Sequence, residues 1–226
     1  MGNDTKKTDI LIAILILGSF WGLSEVVLGS LFKQAGIPFR TGILIGIGMY
    51  LMGIAAGSYK KYSMLAGIAV IAVLSKLMVV PILGVSVMCK ANSCLAVLVD
   101  GLALLGAATL FRKKIGNNTG SRIICGLTAG FSAAVIFYFA GMKTAPCPNL
   151  LTYSQLSGFI SYMFNKGLTW MIFSGAFFPL GYILGERLKN TVVNLRMNRP
   201  IFYYTASLTL IVCCWTAVGL AISAGY

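Results

Sequence analysis

The chain has 226 residues, of which 58% are hydrophobic and 10% charged, against ~25% charged in soluble domains. Its mean hydropathy is +0.88. Only lipid solvates that much apolar side chain, which excludes a soluble globular protein and a disordered one. The net charge is +13, and histidine is absent. Imidazole bases and imidazole metal ligands are therefore missing, and the acids are Asp4, Asp9, Glu25, Asp100 and Glu186. The basic residues sit in short clusters between apolar runs, the distribution of membrane topogenesis rather than of a nucleic-acid surface. No metal, cofactor or nucleic-acid partner is expected, and the chain reads as a non-enzyme.

A helical span needs ~20 apolar residues. Seven stretches qualify, at roughly 10–32, 41–58, 63–85, 94–111, 122–142, 160–185 and 203–224. The expected fold is all-α, a polytopic transmembrane bundle forming one domain over residues 1–226, with a six-span core plus one. The first span follows Lys6 and Lys7. It is too long for a signal-peptide core and lacks a small-residue cleavage site. It places Gly18, Gly22, Glu25 and Gly29 at i, i+4, i+7 and i+11, on one narrow face. Trp21 lies one turn before Glu25. Span two repeats the glycine theme at Gly42, Gly46, Gly53 and Gly57. Small residues on one face let helices approach closely in lipid.

Span three carries Lys76. Span four lines up Ser93, Ala96, Asp100, Ala103 and Ala107. Near its start, Cys89 and Cys94 are spaced C-x4-C without histidine, which argues against zinc or redox chemistry. An outer disulfide between them is the expectation, with Cys147 an alternative partner. Between spans five and six, the stretch from Tyr153 to Phe164 alternates aromatic and polar residues and reads as a short interfacial helix. Span six carries Lys166, flanked by Tyr162 and Trp170 at i−4 and i+4, and ends with Gly181 and Gly185. Span seven is the addition to the six-span core, and if it is re-entrant or absent both ends of the chain lie inside.

Orientation follows from the basic residues. With the N-terminus inside, inner segments hold 12 of the 18 and outer segments 4. The outer ones are Lys33, Arg40, Lys90 and Lys143. That asymmetry predicts a multi-pass protein of the cell membrane, with the N-terminus cytoplasmic and the C-terminus outside.

Glu25, Lys76, Asp100 and Lys166 interrupt apolar spans. A charge at mid-membrane costs at least ~2.5–3.5 kcal/mol on insertion scales, so each must face protein or water. All lie in the outer half, two acidic and two basic. They are expected to converge on one cavity. There they either pair structurally or contact a polar or zwitterionic ligand, with Trp21, Tyr162 and Trp170 as aromatic walls. Acids on spans one and four and lysines on three and six also hint at a 3+3 inverted repeat.

Several local features carry a family resemblance. They are Gly18-x3-Gly22, the glycine-rich run from Gly46 to Gly53, and the segment from Asn92 to Ala103. With no nucleotide-binding motif in the chain, the whole resembles the membrane-embedded substrate-binding (S) components of energy-coupling factor vitamin transporters, over spans one to six. The resemblance implies capture of a micronutrient from the outer side. It also implies a small-x3-small face on span one that meets a transmembrane coupling subunit with ATPases. The seventh span departs from that pattern, as does Glu25 on the Gly18–Gly22 face. Two other classes stay open: a stand-alone proton-coupled secondary transporter, and a non-transport assembly subunit or lipid- or quinone-acting protein.

Overall fold

A computed structural model describes residues 2–155 and 157–225, with side chains at all of these except 2–6, 89, 148 and 149. Among the described residues, seven helices are long and apolar enough to cross a membrane: α1 (Lys7–Gln34), α2 (Arg40–Tyr59), α3 (Met64–Leu83), α4 (Lys90–Leu110), α5 (Thr119–Thr144), α6 (Gly158–Asn198) and α7 (Pro200–Ser223). No strand occurs among the described residues. Composition demands this, because backbone polar groups in hydrocarbon must be satisfied within their own helix or a closed barrel. Local chemistry sets the ends. Gly84 closes α3 in the left-handed region at φ 63°. The Asn118 side chain accepts from the Gly120 N–H at 2.8 Å to start α5. Pro200 opens α7 where no N–H is needed.

Six helices close a ring in the order α1, α3, α4, α5, α6, α2 and back to α1. An inverted 3+3 repeat would equate α1 with α4 and α3 with α6. In the ring α1 packs on α3, whereas α4 lies between α3 and α5. The neighbours do not exchange, so the charge pattern that hinted at a repeat arises without one.

The closest packing joins α2 to α6. A Cβ on Gly53 would lie 2.6 Å from the Phe178 carbonyl oxygen. Gly57 faces the Tyr182 carbonyl, and Gly181 and Gly185 face those of Tyr50 and Ile54. Both helices contribute glycines four apart, so their backbones meet without intervening side chains. Gly46 accommodates the Phe177 ring, 3.1 Å from where its Cβ would be. On α1, Gly18 seats against Ile68 and Ile71 of α3, Gly22 against Ser75, and Gly29 against Leu44 of α2. The packing expected of these glycines is thus found within the chain. Gly18-x3-Gly22 is already covered by α3.

α7 packs outside the ring. Val218 and Ile222 rest on Val79, and Trp215 Nε1 donates to Ser19 Oγ at 2.9 Å. Of its most apolar window, only 22% is buried. It is nevertheless a full-length helix of 24 residues. The stretch before span six differs from expectation. α6 runs unbroken from Gly158 for 41 residues, about 62 Å at 1.5 Å rise. A π-turn at Met163–Gly167 is absorbed into it instead of a separate interfacial helix. Its last third, beyond Gly185, is helical where a loop was expected.

At the end opposite the start of α6, one carboxylate gathers the helices. Glu186 accepts from Lys60 Nζ at 2.7 Å and from Arg122 Nη2 at 2.9 Å. Arg122 also donates to the carbonyls of Ile115 and Gly116. Both cations lie over the Tyr182 ring, and Lys60 hydrogen-bonds its hydroxyl. Burial works against the charge on Lys60. The hydrogen bonds to Glu186 and Tyr182 outweigh it and hold the ammonium above its ordinary pKa. Asp9 and Arg196 pair α1 with the far end of α6.

Candidate binding cavity

The other end of the ring opens into a cavity of about 800 Å³, within the range of small-molecule sites. Glu25, Lys76, Asp100 and Lys166 all line it. They arrive from α1, α3, α4 and α6, and each is placed there for a local reason. Glu25 shares the α1 face of Gly18 and Gly22. Once those glycines dock on α3, the acid one turn on meets Lys76, with Glu25 Oε2 2.7 Å from Nζ. Both side chains are about nine-tenths buried, so the pair is shielded from solvent screening.

Asp100 occupies the α4 face expected of it, and Ser93 and Ala96 line the cavity with it. Ala103 and Ala107, farther along that face, are buried. Asp100 is 2% exposed, and its Oδ1 has no hydrogen-bond partner among the described residues. Lys166 is exposed to the cavity and is without an ion-pair partner among the described residues. Glu25 and Lys166 both fall in π-turns, Ser24–Leu28 and Met163–Gly167. A π-turn rotates the following residues relative to a regular helix, and such turns recur at functional sites.

The aromatic walls are partly those expected. Tyr162 and Trp170 both line the cavity, each 3% exposed. The Trp170 ring lies 5.3 Å from Phe137 at 40°, and Tyr162 lies 5.5 Å from Tyr153, edge to face. Trp21 is elsewhere. It is fully buried and is not part of the lining. Its ring fills the notch that glycine leaves at Gly48 on α2, so it is a packing residue. Cys94 is a buried free thiol. The Cys89 side chain, the other half of the expected disulfide, lies outside the described residues.

Several lining residues were not expected at the site from the sequence. Asn92 lines the wall and donates from Nδ2 to Cys147 Sγ at 2.9 Å, while its buried Oδ1 has no partner among the described residues. Lys33 and Arg40, read as topogenic charge, stand at the rim. So does Phe39, held at φ 57° in the tight α1–α2 turn. A left-handed aromatic residue is costly and marks a constrained position. Only the arrival of distant helices at one place reveals these residues, because none belongs to a spaced motif.

A second hollow of about 730 Å³ lies between α1, α2, α6 and α7. Its lining is apolar apart from Ser24 and Tyr50, and the Ser24 hydroxyl is committed to the Trp21 carbonyl at 2.7 Å. It presents nothing to hold a polar solute. The polar cavity is the site with chemistry: one closed ion pair, one buried acid, unanswered cations and flat aromatic walls. Compared with models of known protein families, with curated proteins and with solved structures, the chain finds no match.

Proposed function

We propose that this chain is the membrane-embedded solute-binding subunit of an uptake system, which captures a small polar or zwitterionic micronutrient in the cavity. The observation that carries the reading is the convergence of Glu25, Lys76, Asp100 and Lys166 on one cavity. Intramembrane ionisable residues are functional by default, because insertion penalises them. The basic asymmetry between the two ends supports a cavity that faces outward, with the N-terminus cytoplasmic. The chain has no nucleotide-binding motif, so energy would come from a coupling subunit with ATPases, as in the S components it resembles. Because α3 covers Gly18 and Gly22, such a subunit would dock on another surface of the chain.

Mass spectrometry of small molecules retained by the purified protein tests this reading. A stoichiometric solute, lost on substitution of Asp100 or Lys166, is the expected result. A protein that retains nothing, and that no solute in a metabolite library stabilises, would sink it. The unpartnered Asp100 oxygen favours a second reading, a stand-alone transporter in which this acid carries a proton. Uptake by the chain alone in proteoliposomes, driven by a proton gradient, would select it over the subunit.

A further inference from the structure

The unsatisfied groups of the cavity have a definite layout. Glu25 and Lys76 answer each other at 2.7 Å, so neither supplies an uncompensated charge. What is left over differs between the α4 wall and the rim. On the wall, Asp100 Oδ1 and Asn92 Oδ1 are buried acceptors without donors among the described residues. Asn92 cannot serve Asp100, because the two lie eight residues apart on α4, about 12 Å along the axis. At the rim Lys33 and Arg40, and on the α6 wall Lys166, are without a carboxylate partner among the described residues. The Trp170 ring, its Nε1 without a partner among the described residues, lines the same cavity and packs on Phe137.

Buried polar atoms without partners are costly. Here they specify the complement. A wholly anionic ligand would set negative charge against Asp100. A wholly cationic one would leave the rim unanswered and add to its repulsion. We propose that the cavity binds an amphoteric molecule with a flat ring, in one direction. Its amine or amidine donates to Asp100, the ring lies against Trp170 and Phe137, and a carboxylate or phosphate meets Lys166. The inference rests on the solute-binding reading and adds the ligand's charge pattern and its orientation.

The test uses the full chain in detergent and three probes: 4-(aminomethyl)benzoate, benzylamine and benzoate. Binding is read by tryptophan fluorescence and by thermal shift. The amphoteric probe binds about tenfold or more tighter than either singly charged one. Asp100→Asn removes its advantage over benzoate, and Lys166→Met removes its advantage over benzylamine. The ranking in the unmodified protein stands by itself should a variant fail to fold. A ranking led by benzoate or benzylamine overturns the inference. So does a pair of well-folded variants that leave the ranking unchanged. Absence of binding by all three probes up to millimolar concentration also overturns it. In that case retained solutes, found by mass spectrometry, still decide whether the cavity is a solute site.

Discussion

The two ends of the bundle treat charge in opposite ways. Around Glu186 the charges close on one another. One carboxylate holds Lys60 and Arg122, and Arg122 also donates to the Ile115 and Gly116 carbonyls. At the cavity end only Glu25 and Lys76 are closed. Asp100 keeps an oxygen without a partner, and Lys166 keeps a free ammonium among the described residues. The first arrangement joins α2, α5 and α6 and gains nothing from a ligand. The second leaves groups that a ligand can satisfy. A closed network stabilises a fold, whereas an open one stores affinity at the expense of stability.

The largest effect separating the ends comes from Glu25→Gln. It strands Lys76 in a site about nine-tenths buried. Breaking a buried pair by removing one partner costs about 3–5 kcal/mol. Thermal unfolding in detergent measures it, and the double variant Glu25→Gln with Lys76→Met recovers most of the loss. A single variant as stable as the parent would show that water already solvates the pair.

Glu186→Gln comes next. It leaves Arg122 without its carboxylate, but the Glu186 side chain is 36% exposed. The cost is about 1–3 kcal/mol, discounted for that exposure. Solute binding at the other end is expected to stay unchanged, and a weaker cavity would contradict the division into two ends.

Asp100→Asn sharpens the contrast from the other side. The spacing of the charges alone suggests that losing this acid strands a lysine. The structure removes that reason, since Lys76 answers to Glu25. Stability therefore changes by less than about 1 kcal/mol, because an amide replaces a buried carboxylate that lacks a partner. Binding of the retained solute falls by tenfold or more. Loss of stability without loss of binding would reverse the assignment.

The smallest effect belongs to Lys60, whose side chain is 45% exposed. Lys60→Met costs at most ~1 kcal/mol, as for other exposed pairs. Its pKa is raised in the folded chain. The stabilisation is therefore complete below the unfolded lysine value and is lost only as pH rises through the raised one. Unfolding profiles of parent and variant should coincide in the alkaline range and differ slightly below it.

Much of this was legible in the residues themselves. Hydropathy located seven spans, because lipid imposes one length and one composition on each of them. Helical periodicity placed Gly18, Gly22 and Glu25 on one face, and Ser93, Ala96 and Asp100 on another, since i+3 and i+4 neighbours share a face whatever surrounds them. The energetic cost of charge in hydrocarbon marked Glu25, Lys76, Asp100 and Lys166 as convergent before any fold was known. Which charge answers which was decided only by tertiary structure. That choice depends on the ring order and on the rotation of each helix, and the π-turns at Glu25 and Lys166 alter that rotation without a sequence signal. Trp21 shows the same limit. It stands one turn from Glu25, yet Gly48 on another helix captures its ring, and no spacing within α1 encodes that neighbour.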